Sequence, residues 1–179
     1  MSIYALKLLV PPPDKPKGLR KNRRWDLAEA KLHTPLPTDY KEFIEAYGSG
    51  LFASFIRILN PFDRDEDVSL IRCSKTIVNI FREMKPNLGG KDFPFQLFPD
   101  QGGLLPCGTD DNGNFLFWKT EDNPEAWKIV VADGRGPRWQ LFDMGLTDFL
   151  ANALTKKIRC KIWPSDYPGN RKSFTFECF

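Results

Sequence analysis

From Trp25 to Gly50 the apolar positions keep a helical rhythm. Trp25–Leu32 predicts one short helix. Pro37 then suits the first turn of a second, where its missing N–H costs nothing. Tyr40, Phe43, Ile44 and Tyr47 follow at i, i+3, i+4 and i+7, and "GSG" at 48–50 ends the run. From 51 to 59 the pattern changes to alternation (Leu51, Ala53, Phe55), which predicts a strand stopped at Asn60-Pro61. Leu70, Ile71, Ser74, Ile77, Val78, Phe81 and Met84 restore the helical period, with Asp65 or Asp67 as N-cap and an end before Pro86. A Pro/Gly/Phe-rich loop fills 86–103. Four β-like runs follow, "LLPCGT", "NFLFWKT", "WKIVVAD" and "PRWQLFD", separated by "DDNG", "EDNPEA" and "DGRG". That is an antiparallel meander. Residues 146–157 predict a last helix and "KSFTFECF" an edge strand. At the front, Ile3–Val10 alternates and predicts a short strand.

This order predicts an α+β fold, an antiparallel β-sheet meander with helices packed on one face. Three segments are expected: 1–24, an N-terminal strand and basic Pro-rich arm; 25–157, the α+β domain; and 158–179, a C-terminal extension. The chain's 179 residues, 41% hydrophobic and 27% charged, suit one domain with a sizeable core. No apolar run approaches the ~20 residues of a membrane span, and the apolar start is too short for a signal peptide. A cytoplasmic protein without membrane contact is expected.

The net charge of +3 hides an uneven distribution. Residues 32–155 hold 12 Lys/Arg against 18 Asp/Glu, a net −6, while both ends are basic. Six basic residues lie between Lys15 and Arg24 with no acid among them. Such a run binds phosphate backbones or stays solvated; no aromatic interleaves it before Trp25, which favours a solvated, mobile arm.

Catalytic and metal chemistry finds little to work with. In "GTDDNGNFLFWKTE" the residues Asp110, Asn112, Asn114 and Glu121 occupy positions 1, 3, 5 and 12 of a calcium loop. Position 6, which needs glycine for the turn, is Phe115. Asn112-Gly113 is instead a hairpin signal. Phe115 and Phe117 then share one face, and Leu116 and Trp118 the other. Adjacent Asp110 and Asp111 point apart on a strand. His33 is the only histidine, and Cys73, Cys107, Cys160 and Cys178 form no C-x-x-C, so neither a zinc site nor a Cys–His pair is expected. No phosphate loop or cofactor fingerprint is present. No catalytic residue, metal or cofactor is expected.

Two stretches resemble the SUKH superfamily. Leu36, Pro37, Asp39, Tyr40 and Phe43 match its helix-start motif. Gly108, Gly113, Asn114 and Trp118 match its hairpin motif, with Asn114 where aspartate is common, and "GLTDFLANALT" is similar to its closing helix. The resemblance covers roughly 25–155. It implies a non-enzymatic protein-binding module. Bacterial members are often immunity proteins that neutralise toxin domains, many of them nucleases; fungal relatives act in cell-wall regulation and signalling. An immunity protein with a cognate toxin as partner is the leading expectation. A regulatory or scaffold role, or nucleic-acid binding through the arm, are the alternatives. The candidate partner-facing acids are Asp63, Asp65, Glu66, Asp67, Asp110, Asp111, Glu121 and Asp122.

Overall fold

The computed structural model describes residues 3–136, 138–170 and 173–179, with the backbone alone over 87–91. The expectations for Met1, Ser2, Pro137, Arg171 and Lys172 lie outside the described residues. In chain order the elements are α1 (Ile3–Leu9), α2 (Trp25–Leu32), α3 (Thr38–Tyr47), β1 (Gly50–Phe52), β2 (Ile56–Ile58), α4 (Leu70–Asp92), β3 (Leu104–Asp110), β4 (Phe115–Lys119), β5 (Lys128–Ala132), β6 (Trp139–Phe142), α5 (Leu146–Leu154) and β7 (Phe176–Cys178). The strands form one antiparallel sheet ordered β6-β5-β4-β3-β2-β1-β7. The fold is α+β, as the pattern predicts.

Alternation along β4 assigns the two faces. Trp118 meets Tyr40 of α3 edge-on, with ring centroids 4.8 Å apart. On the same face, Phe142 of β6 packs on Phe149 of α5, and Phe52 of β1 on Phe43 and Tyr47. This is the main helix layer. Its buried hydroxyls are satisfied: Tyr40 donates to the Leu59 carbonyl at 2.7 Å and Tyr47 to the Val10 carbonyl at 2.6 Å. On the other face Phe81 of α4 meets Phe115, Phe117 and Trp139. The hairpin faces are therefore as expected, and both are covered.

Local readings fail at three places. The strand expected over Ile3–Val10 is helix α1. Leu6 and Val10 are fully buried while Tyr4 and Leu8 are 68% exposed, a spacing set by one helix face packing on α3 and α5. The strand expected over 51–59 is a tight hairpin. Ala53 and Ser54 turn through left-handed backbone (φ 52° and 53°), so that Phe52 pairs with Ile56. Helix α4 runs through Pro86 to Asp92, into the expected loop; Trp139 Nε1 donates to the Asp92 carbonyl at 2.9 Å and satisfies a helix-end acceptor. At its start, the Ser69 carbonyl accepts from Arg72 and Cys73, while Asp65 and Asp67 belong to the preceding turn.

The two flanking segments are built into the body. The arm is laid along it rather than loose. Lys17 bridges Gly48, Ser49 N–H donates to the Lys17 carbonyl at 2.9 Å, and Arg23 forms a forked ion pair with Glu45. Beyond α5, Cys160 and Trp163 are each 6% exposed. Trp163 packs on Phe55 and Phe149, and β7 extends the sheet at β1.

Candidate partner-binding site

Sequence motifs 80 residues apart meet in one cleft. Pro37 and Asp39 at the start of α3, Trp118 of β4, Glu125 and Trp127 of the β4–β5 connection, and Thr147 and Asp148 at the start of α5 line a cavity of about 170 Å³. Two helix starts are cross-capped there. Asp39 Oδ2 accepts from the Thr147 N–H at 2.9 Å and its hydroxyl at 3.3 Å. Glu125 Oε1 accepts from the Thr38 N–H at 2.9 Å and its hydroxyl at 2.8 Å. Carboxylates at helix N-termini satisfy orphan donors and favour the dipole. A Cβ at Gly145 would sit 2.9 Å from Asp39 Oδ2, so a side chain there would press on this clasp. Burial pushes the Asp39 carboxyl above its ordinary value. Hydrogen bonds from the Thr147 and Tyr40 N–H groups oppose this, and the nearby Glu125 charge adds to it. No Lys, Arg or His lines the cavity. The Trp118 indole N–H is buried with no hydrogen-bond partner among the described residues. The cleft thus offers carboxylates for a donor or cation, over an apolar wall of Trp118 and Trp127.

Seven of the eight expected partner-facing acids fall into three groups. Asp63, Asp65, Glu66 and Asp67 lie in the β2–α4 connection. Asp63 accepts from Ser49 Oγ and from the Asp65 N–H, Asp65 accepts from the Asp67 N–H at 3.0 Å, and Glu66 pairs with Arg72. Asp111 is exposed at the β3–β4 turn, 3.7 Å from Arg57. Glu121, paired with Lys119 at 2.7 Å, and exposed Asp122 lie at the other end of β4, about 15–20 Å away at ~3.4 Å per residue. They share the connection that carries Glu125.

Asp110 differs from the rest: it is 3% exposed and points inward. Its Oδ1 accepts from the Asn112 and Asn114 N–H groups at 2.9 and 3.0 Å, and its Oδ2 from Asn114 Nδ2 at 2.9 Å. Asn114 Oδ1 accepts from the Gly134 N–H at 3.2 Å, tying this turn to the β5–β6 turn. Gly113 supplies the positive φ of 79°. The carboxylate completes a hairpin, and Asn114 suits its place because a second carboxylate would face the first.

Glu125 belongs to the acidic run "TEDNPE" that sequence reasoning noted beside Glu121 and Asp122; Trp127 and Asp148 were not singled out. An acid in the first turn of a predicted helix was the available signal for Asp148. Three of the six arm cations are engaged: Arg20 donates to the Phe62 carbonyl, Arg23 to Glu45 and Arg24 to Asp26. The ion pairs of Arg23 and Arg24 reduce the charge left for a phosphate backbone.

Comparison with known families is consistent with this geometry. The SUKH_6 family model, described as SMI1-KNR4 cell-wall, matches residues 22–150. Tyr40 and Trp118, one from each motif, are the edge-on pair under the cleft. The chain belongs to the SMI1-KNR4 family within the SUKH superfamily. No curated protein and no solved structure matched. Among the described residues no helix is long and apolar enough to cross a membrane, and no group of three or more His, Cys, Asp or Glu could hold a metal ion.

Proposed function

We propose that this chain is a cytoplasmic, non-enzymatic binding module, an immunity protein that captures and neutralises a cognate toxin domain. The observation that carries the reading is family membership over 22–150 joined to the convergence of both motifs on one acidic cleft. The partner presents a basic side chain. The cation meets the carboxylates of the cleft, Asp39, Glu125 or Asp148, and Glu121 and Asp122 on the same connection steer the approach. A nuclease toxin, which must itself bind phosphate, has that charge.

The two buried thiols are poorly suited to nucleophilic catalysis. Burial pushes Cys107 far above its ordinary value and Cys160 up to about 11, away from the thiolate that attacks.

The test is co-expression with candidate nuclease toxin domains of bacterial competition systems. The wild type restores survival, and Asp122→Lys with Glu125→Lys weakens protection while the protein still folds. Unchanged toxicity with the wild type refutes the immunity reading. A pull-down that returns host proteins and no toxin favours a regulatory or scaffold role of the same fold.

A further inference from the structure

A second concavity, opposite in character to the acidic cleft, lies between α2 and α4. Its volume is about 380 Å³, within the range of sites that take a ligand or an anchoring side chain. Leu32, Val78, Phe98 and Leu105 give it an apolar interior. Lys31, His33, Lys75 and Arg82 surround it, and no Asp or Glu lines it. Among the described residues no ion pair reaches Lys31, Lys75 or Arg82; Arg82 donates only to Asn79, a neutral amide.

Lys31 also lines a smaller hollow of about 110 Å³ with Arg20, Arg24, Leu27 and Ile71, and that one too has no acidic lining. Leu27 is 54% exposed there. Across both hollows α4 contributes Ile71, Ser74, Lys75, Val78, Asn79 and Arg82. These positions form a single helical stripe about 16 Å long at 1.5 Å per residue.

From this geometry we infer a docking groove for an acidic, amphipathic polypeptide segment, with one or two apolar anchors between α2 and α4 and flanking carboxylates on Lys31, Lys75 and Arg82. The charge complementarity selects the occupant: no acid lines either hollow, and while Arg23 and Arg24 of the smaller one are paired with Glu45 and Asp26, Lys31, Lys75 and Arg82 have no ion pair among the described residues. Apolar anchors supply affinity, and the charged rim supplies orientation and on-rate. The inference is independent of the toxin reading, since the groove uses another face and the opposite charge.

The test is nuclear magnetic resonance titration of the full chain with a short Glu/Leu peptide. Expected are shifts confined to α2, α4 and the Phe98 segment. Lys75→Glu with Arg82→Glu raises the peptide's Kd roughly tenfold or more, while Lys157→Glu with Arg159→Glu, the same charge change elsewhere, leaves it unchanged. All four side chains are exposed, so thermal melting checks the fold of each variant. No shifts at millimolar peptide overturn the inference, as does equal binding of a Lys/Leu peptide. An oligonucleotide that displaces the peptide and binds at least as tightly reassigns the rim to nucleic acid and also overturns it. Loss of toxin protection without loss of peptide binding, or the reverse, keeps the two proposals distinguishable.

Discussion

Replacing Asp110 with alanine should destabilise the protein by about 3 kcal/mol, and replacing its neighbour Asp111 should cost almost nothing. Asp110 is buried and accepts three hydrogen bonds. After truncation the Asn112 N–H turns to water, because Asn112 is exposed. Asn114 is 5% exposed, so its N–H and its amide N–H lose their acceptor inside the protein. Each buried orphan donor costs about 1–3 kcal/mol, giving about 2–6 together; relief of the carboxylate's own desolvation brings this toward 3. The Asn114 amide cannot escape by rotating, since its oxygen holds the Gly134 N–H. Asp111 has one ion pair, 3.7 Å long, on a side chain 45% exposed, and its loss stays within about 0.5 kcal/mol.

Urea unfolding followed by tryptophan fluorescence measures both. For an m-value of about 2 kcal/mol/M, Asp110→Ala lowers the midpoint by about 1.5 M and Asp111→Ala by less than 0.3 M. The geometry also predicts a rescue. Asp110→Asn alone sets its new amide against the Asn114 amide and is destabilising. Adding Asn114→Asp restores a donor facing an acceptor and keeps an acceptor for Gly134, so the double variant regains most of the loss. Equal effects of the two alanine variants, or a double variant worse than Asp110→Asn, would refute the turn as the role of this carboxylate.

A chain ended at residue 157 should fail to unfold cooperatively or melt well below the full chain. It lacks Trp163, whose burial alone is worth about 5 kcal/mol at ~25 cal/mol per Å²; an unchanged melting temperature contradicts this. Glu45 and Asp39 should bias the acid stability profile in opposite directions. Hydrogen bonding to Arg23 holds Glu45 below its ordinary value, so its contribution, under about 1 kcal/mol, is present above the ordinary Glu range and is lost as pH falls through the depressed value. Asp39 is raised by burial, so its proton-linked contribution is present at low pH and is lost as pH rises through its raised value; chemical denaturation of Glu45→Gln and Asp39→Asn against pH reads both signs. Alkylation of the native protein at pH 8 should modify half-buried Cys178 and spare Cys107, which mass spectrometry resolves; comparable labelling of Cys107 contradicts its burial.

Elements were legible in the sequence where one periodicity acted without a competitor. In α3 the apolar stripe is clear and the opposite face polar, and in β3–β6 turn residues punctuate each run. Ile3–Val10 is apolar on several sides, and packing against α3 and α5, rather than alternation, decides that Leu6 and Val10 turn inward together. The turn at Ala53-Ser54 carries neither Gly nor Asn, so positive φ is imposed by the pairing of Phe52 with Ile56 rather than announced by residue type. Pro86 signals a stop, yet α4 continues to Asp92, where Trp139 satisfies the end carbonyl from 47 positions away. Carboxylate chemistry was the least legible part. A run of acids reads alike whether its members face water, cap a helix or close a turn, and only burial separates Asp110 from Asp111. Asp39 and Asp148 become neighbours because α3 and α5 start side by side on one face of the sheet. Segment counts assign −6 to the middle of the chain, yet that middle contributes Lys75 and Arg82 to the groove while the basic arm gives Arg23 to Glu45. Charge here is sorted by face, and a face is assembled from distant segments. Any electrostatic account of partner choice must therefore treat the cleft beside Trp118 and the groove beside Val78 as two separate fields of opposite sign.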